Sequence, residues 1–173
     1  MNFFILGAAG ATGTQLIDQA LAAGDDVTAL VRSQETLPAT NPHLSVVHGD
    51  ATDESAVSRS LDGADAVISV LGARGPVMAD ATRALVAAAK EKGVGRVVML
   101  SSFAVERDHL TPAARLITRI AMGSQIKDKA AGEDLLRASD LDWTIVYATK
   151  DSLKNDFPFC RAGPVHRQPG EIE

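Results

Sequence analysis

"GAAGATGTQL", residues 7–16, comes directly after the apolar run Phe3-Phe4-Ile5-Leu6, almost at the start of the chain. Each glycine costs backbone entropy on folding, so placing Gly7, Gly10 and Gly13 just ahead of a helix-forming stretch calls for a use that offsets it. In a strand, loop and helix unit, the G-x-x-G-x-x-G spacing lets a pyrophosphate lie against the first helical turn. Gly7 takes the tight turn out of the strand, Gly10 lets phosphates approach the backbone, and Gly13 lets the helix pack closely on the sheet. Unpaired amides near residues 10–13, those of Ala11 and Thr12 included, and the positive end of the helix dipole supply the attraction. The Thr12 hydroxyl is a further donor. The competing reading is a tight strand-to-helix turn with no ligand; the place of the motif, after the first strand and opening a helix, weighs against it.

From residue 3 to residue 147, short β-branched or apolar runs alternate with longer stretches of helical periodicity, the pattern of repeated βα units and a mainly parallel sheet. Strands are predicted at Phe3–Leu6, Val27–Val31, Leu44–Val47, Ala66–Val70, Arg96–Leu100 and Trp143–Tyr147. Several are continuous apolar runs, as expected for strands covered on both faces. Helices are predicted near 12–22, 53–61, 77–92, 112–121 and 125–139. Gly24 and Gly93 fall where the first and third of these end, as left-handed caps. Asp53 is the expected N-cap of the second. From Ala148 to Glu173 the text carries three prolines, many charges and no periodicity. The chain is therefore divided into one α/β domain over 1–147 and an irregular tail over 148–173.

A length of 173 residues suits a single core. Apolar residues make up 46% and charged residues 23%, close to the average for globular proteins, and no window approaches the ~18 apolar residues of a membrane span. The run after Met1 lacks a basic leading segment and is read as a buried strand rather than a signal peptide, so a cytoplasmic protein without membrane contact is expected. Cys160 is the single cysteine, which excludes an internal disulfide and a multi-cysteine zinc site. His43, His48, His109 and His166 show no ligand spacing, and no metal is expected. Net charge is −5 with dispersed basic residues, which disfavours nucleic acid.

The second strand discriminates between dinucleotides. About 20 residues past the glycines an NAD site usually carries an acidic residue for the ribose hydroxyls, whereas this strand ends in Arg32 and Ser33. A guanidinium pairs with a 2′-phosphate that a carboxylate would repel, so NADP(H) is favoured over NAD(H); the plain alternative is a solvated arginine. In "HGDATD", Asp50 is placed to accept from the adenine amino group while the Ala51 amide donates to a ring nitrogen, or else Asp50 is a loop aspartate starting the next helix. Leu71 and Gly72 after the fourth strand would let the ribose lie close to the backbone, or serve as loop formers.

"GAAGATG" at 7–13, "LVR" at 30–32, "GDATD" at 49–53, "VVMLSS" at 97–102 and "LLRASDLDWTIV" at 135–146 together resemble the atypical short-chain dehydrogenase/reductases, in particular the NmrA-like and flavin reductase/biliverdin reductase B-like NAD(P)H-binding group. The resemblance implies a Rossmann-type doubly wound parallel sheet of order 3-2-1-4-5-6, with the nicotinamide near the end of strand five. Ser101 and Ser102 fall there, where one hydroxyl would bond a substrate carbonyl or the nicotinamide amide; serines at a strand end also simply satisfy the backbone. Typical short-chain reductases pair such a serine with Tyr-x-x-x-Lys, whose tyrosine donates the proton that balances hydride transfer. Here Lys129 occupies the lysine place and Gln125 the tyrosine place, and an amide supplies no proton. Lys129 either holds the nicotinamide ribose or is a helix-surface lysine paired with Glu133. Relatives continue "TIV" with Arg-Pro and a further substrate lobe, whereas this chain reads Tyr147-Ala148-Thr149. A truncated lobe, through a frame shift after Val146, is expected, and a family-like continuation in another frame of the encoding DNA is its test.

Two functions follow from the resemblance. The first is a reductase passing hydride from NADPH to a flavin, quinone or other conjugated small molecule, acceptors that need little acid catalysis. The second is a non-catalytic NADP(H) sensor acting on a regulated protein partner; a partial family member lacking a complete substrate pocket is its variant. The apolar stretch Ala113–Met122 meets a partner or lies over the core, and the oligomeric state stays open.

Overall fold

The computed structural model describes residues 1–32, 37, 41–72, 77–102, 112–148 and 165–167, with the backbone alone at 102, 112–122, 148 and 165–167. The elements run β1 (Asn2–Leu6), α1 (Ala11–Ala22), β2 (Asp26–Val31), β3 (Leu44–His48), α2 (Glu54–Ser60), β4 (Ala66–Ser69), α3 (Met78–Lys92), β5 (Arg96–Ser102), α4 (Pro112–Arg137), β6 (Asp142–Ala148) and β7 (Val165–Arg167). The sheet order is β3-β2-β1-β4-β5-β6-β7. Its first six strands are parallel, giving the expected Rossmann order, and β7 joins β6 antiparallel.

Apolar side chains alternate across the strands and feed a core on each face of the sheet. Phe4 and Leu6 of β1 join Val67, Leu85, Val97, Met99, Leu136 and Ile145 under α2, α3 and α4. Ile5 joins Ile17, Val27, Ala29 and Val31 under α1. β3 forms the edge, with Ser45, Val46 and His48 exposed. Gly93 ends α3 at φ 71°, and Gly24 follows the α1 cap at φ 82°, both in the left-handed region. Asp53 caps α2, accepting the Ser55 amide at 3.0 Å.

Two expectations are corrected. The helices predicted at 112–121 and 125–139 are one helix of 26 residues. Gly123 sits inside it with no described atom of another element near where a Cβ would stand, and the ~1 kcal/mol that an interior glycine costs relative to alanine does not break a helix anchored elsewhere. The anchoring is visible at Gly132, where a Cβ would stand 3.0 Å from Thr82 Oγ1 and 3.2 Å from the Met78 carbonyl, so α4 presses closely on α3. The tail is not wholly irregular either: Val165 pairs with Val146, His166 with Ile145 and Arg167 with Thr144. A three-residue strand carries too little periodicity to show in the sequence; the remainder of the tail, and the side chains of 113–122, lie outside the described residues. Among the described residues, no helix is long and apolar enough to cross a membrane.

Candidate functional site: a groove at the carboxyl ends of β1, β2 and β4

The chain order reverses at β1, and a groove of about 740 Å³ opens beyond the carboxyl ends of β1 and its neighbours, where open α/β sheets bind ligands. Its lining includes Gly7, Gly10, Ala11 and Thr12 after β1, and Arg32, Asp50 and Ala51 after β2 and β3. Leu71, Gly72 and Val77, after β4, line it as well. Nine of the residues singled out in the sequence thus meet in one place.

The three glycines have different reasons to be there. Gly7 has a φ of 93°, and a Cβ would lie 2.8 Å from the Leu71 nitrogen, so both handedness and crowding require glycine. Gly13 is buried, and a Cβ would fall 2.3 Å from the Gly7 carbonyl oxygen and 2.6 Å from that of Ala8; it seats α1 on the preceding loop. Gly10 adopts φ −81° and ψ 163°, which any residue tolerates, and a Cβ there would meet one atom, the Gly7 oxygen, at 3.4 Å. The packing of the described residues gives no reason for glycine at position 10. The open groove in front of it does.

Thr14 closes the first bond of α1 onto the Gly10 carbonyl at 2.9 Å, so the amides of Ala11, Thr12 and Gly13 precede the helical ladder. No side chain caps this end, and its first turn holds no acidic residue. The neighbouring helices differ: α2 has Asp53, and α3 is capped from outside by Asp128 of α4, which accepts the Met78 amide at 2.7 Å and the Ala79 amide at 3.3 Å. Of these three helices, α1 alone keeps a bare, positive N-terminus, and it faces the groove.

Arg32, just past β2, is exposed and makes no ion pair with a described residue. Asp50 Oδ1 accepts the Thr52 amide at 2.9 Å and the Thr52 hydroxyl at 2.7 Å, which folds the loop back on itself. These bonds hold the Asp50 carboxyl below the usual range; burial opposes them weakly and Arg32 adds to them. The α2 cap being Asp53, Asp50 is not the residue that starts that helix. Gly72 has open space where a Cβ would be. Ser33 lies outside the described residues.

At the far end of β5 the structure departs from expectation. Ser101 is 1% exposed, and its hydroxyl donates to Oε1 of Glu133, a residue with no exposed surface. Glu133 Oε2 accepts the Tyr147 hydroxyl at 2.6 Å and Arg137 Nη2 at 3.0 Å, and the same Arg137 nitrogen donates to the Tyr147 oxygen at 2.6 Å. Burying a carboxylate is expensive unless donors fill its lone pairs and a counter-charge is near; this cluster provides both. Burial, reinforced by Glu133, pushes the Tyr147 phenol well above its usual range. Burial works against the Arg137 charge, but Tyr147 and Glu133 outweigh it and hold the guanidinium charged.

Ser101 is therefore not an open catalytic hydroxyl; its hydrogen is committed inside the core. Ser102 ends β5, and its side chain lies outside the described residues. Lys129 is not a plain surface lysine: it is half-buried, burial lowers its pKa, and Glu133 opposes that shift. Glu133, Arg137 and Tyr147 were not singled out as site residues from sequence. The structure shows why position 133 is unusual: Ile126, Gly132 and Leu136 are buried on α4, so a charge at 133 falls inside a buried stripe. Among the described residues no three His, Cys, Asp or Glu side chains converge on a metal position.

A doubly wound sheet with a glycine-lined groove at the reversal point and a bare helix terminus facing it defines an NAD(P)-binding Rossmann domain. Residues 7–156 match the NAD(P)H-binding family, and the chain belongs to that family, on the fold of the atypical short-chain dehydrogenase/reductases. It is similar to an uncharacterised chloroplastic protein of Arabidopsis thaliana, 31% identical over 172 residues that take in 90% of this chain and 60% of the relative. The chain thus spans less than two thirds of that relative's length. Among solved structures it is similar to ChuY, an anaerobilin reductase of Escherichia coli O157:H7, at 25% identity and a TM-score of 0.74, covering 86% of this chain and 72% of that one. A short-chain dehydrogenase/reductase of Veillonella parvula in complex with NADP shares the fold at 20% identity and a TM-score of 0.74, covering 83% of this chain and 67% of that one.

Proposed function

We propose that the protein is an NADPH-dependent reductase that passes hydride to a flavin, a quinone or another conjugated small molecule. The observation that carries this reading is Gly10: its glycine is unexplained by the packing of the described residues, and it stands at an uncapped helix mouth in a groove that also holds Arg32, an arginine without an ion pair to a described residue. Gly10 admits the pyrophosphate, the amides of Ala11, Thr12 and Gly13 bond it, and Arg32 pairs with the ribose 2′-phosphate. Asp50 and Ala51 receive the adenine edge, Leu71 and Gly72 lie along a ribose, and Lys129 holds the other ribose. When bound, the dinucleotide supplies the hydride from its nicotinamide ring.

The acceptor class follows from the proton inventory. Ser101 has its hydrogen on Glu133, and Gln125 stands in the tyrosine place, so neither of these two positions brings an acid matched to a ketone. A conjugated acceptor spreads the incoming charge over its own π system and takes its proton from water.

Calorimetry with NADPH and NADH, followed by NADPH consumption with a panel of flavins and quinones, tests the proposal. Tighter binding of NADPH and saturable turnover are expected. Binding without acceleration would instead favour the cofactor sensor with a protein partner, and absence of heat with either nucleotide would overturn the cofactor site itself.

A further inference from the structure

Lys129, Glu133 and Arg137 follow one another at successive turns of α4, so the buried carboxylate has a cation one turn to either side. Arg137 touches it directly. Lys129 lies one turn before it on the same helix, half-buried and without direct ion-pair contact to Glu133. Among the described residues, the other groups around this stretch leave Glu133 as the anion that faces Lys129. On α4 itself, Asp128 is turned to the α3 amides and Lys127 is exposed. On α3, Asp80 and Arg83 are exposed and pair with each other. From β5 and β6 come the hydroxyls of Ser101 and Tyr147, both neutral donors to Glu133.

Glu133 also has a mechanical connection. Through Ser101 it grips the penultimate residue of β5, and through Tyr147 the matching position of β6, since Ser101 and Tyr147 are partners in the strand register. It therefore joins the carboxyl ends of two strands to the helix that bears Lys129.

We propose that Glu133 is a positioning residue for Lys129, anchoring the end of β5 through Ser101 and holding Lys129, one helical turn away, by charge attraction. The inference rests on the reading above that Lys129 serves the nicotinamide ribose. Desolvation favours loss of the Lys129 proton, and the fixed carboxylate counters it, so that the side chain meets the cofactor as an ammonium donor. Glu133 itself touches neither cofactor nor substrate in this scheme.

The test is the titration of Lys129, followed by the NMR signal of its side chain in the full chain without cofactor. The midpoint is expected to fall in Glu133→Gln, and to fall by less in Glu133→Asp, which keeps the charge but withdraws it. Should Glu133→Gln fail to fold, Glu133→Asp decides alone; an unmoved midpoint in a folded variant overturns the proposal, because a merely structural role would lower the melting temperature and leave Lys129 untouched. NADPH affinity against pH gives the second readout. A basic limb that moves to lower pH in the Glu133 variants and disappears in Lys129→Arg supports the proposal. NADPH binding that is tight but flat through the Lys129 midpoint overturns it while leaving the cofactor site standing, whereas failure to bind NADPH overturns both.

Discussion

Asp128 of α4 accepts the backbone amide of Met78 at 2.7 Å, so the first turn of α3 is capped by a residue 50 positions further along the chain. The same carboxylate accepts from Ala79 at 3.3 Å, and α3 has no cap of its own at Val77. An N-cap removed to alanine typically costs ~0.5–2 kcal/mol, and this one also ties two helices together. Asp128→Ala is expected to lose about 1–2 kcal/mol in urea unfolding, with Asp128→Asn losing less because its amide oxygen still accepts. Equal stability of Asp128→Ala and wild type would mean that the cap contributes nothing.

Gly10 and Gly13 are three residues apart and should fail in opposite ways. Gly13→Ala drives a Cβ into the Gly7 and Ala8 carbonyls, an overpacking that costs about 1–3 kcal/mol or more and shows as a lowered melting temperature. Gly10→Ala keeps a backbone conformation alanine adopts freely, so its stability is expected to be unchanged or raised by roughly 0.4–1 kcal/mol. Its methyl group projects into the groove, and NADPH affinity is expected to drop at least tenfold, about 1.4 kcal/mol. A Gly10→Ala variant that binds NADPH like wild type would remove the main support for the groove as a phosphate site.

The division between what was and was not legible in the sequence follows from the range of the interactions. β1, the glycine turn and the start of α1 are specified within a dozen residues, by an apolar run, a positive φ and a close contact, and each leaves a local mark. The same holds for the Asp53 cap and the Gly93 stop. Glu133 is the opposite case, because a glutamate in a helix is solvated by default and only partners 32 and 14 positions away, Ser101 and Tyr147, make its burial tolerable. The same long-range bond reassigns Ser101 from an open hydroxyl to a core donor. The split at 121–125 is another such case: two helical stretches in the sequence form one helix, Pro112–Arg137, that packs on α3, and that packing is tertiary.

Arg32 should set the preference between the two dinucleotides. A charge-assisted hydrogen bond to a phosphate contributes about 1.5–3 kcal/mol, so Arg32→Ala is expected to weaken NADPH by roughly ten- to a hundredfold. NADH lacks the 2′-phosphate and should change little. The NADPH affinity of wild type should also fall more steeply with salt than that of Arg32→Ala, since an exposed charge contact is screened. Parallel loss of both nucleotides would assign Arg32 a different role, in holding the loop.

Tyr147 provides a pH prediction with its own spectroscopic readout, because it is the chain's single tyrosine. Its phenol is raised above the ordinary value by burial and by the Glu133 carboxylate, so the folded state holds its proton more tightly than the unfolded chain does. The sign follows from linkage: the contribution to stability is present in full below about pH 10, where both states are protonated. Above that, the unfolded chain sheds the proton first, and the contribution is lost as pH rises toward the folded value. Stability measured by urea unfolding should therefore fall on the alkaline side, and Tyr147→Phe, though less stable at neutral pH for want of its bonds to Glu133 and Arg137, should fall less steeply there. In wild type the phenolate absorbance should stay absent through the pH at which a free tyrosine is half ionised, and then appear together with the loss of far-UV dichroism. Phenolate forming near pH 10 in a chain that is still folded would show that the Glu133 cluster does not hold the proton as described.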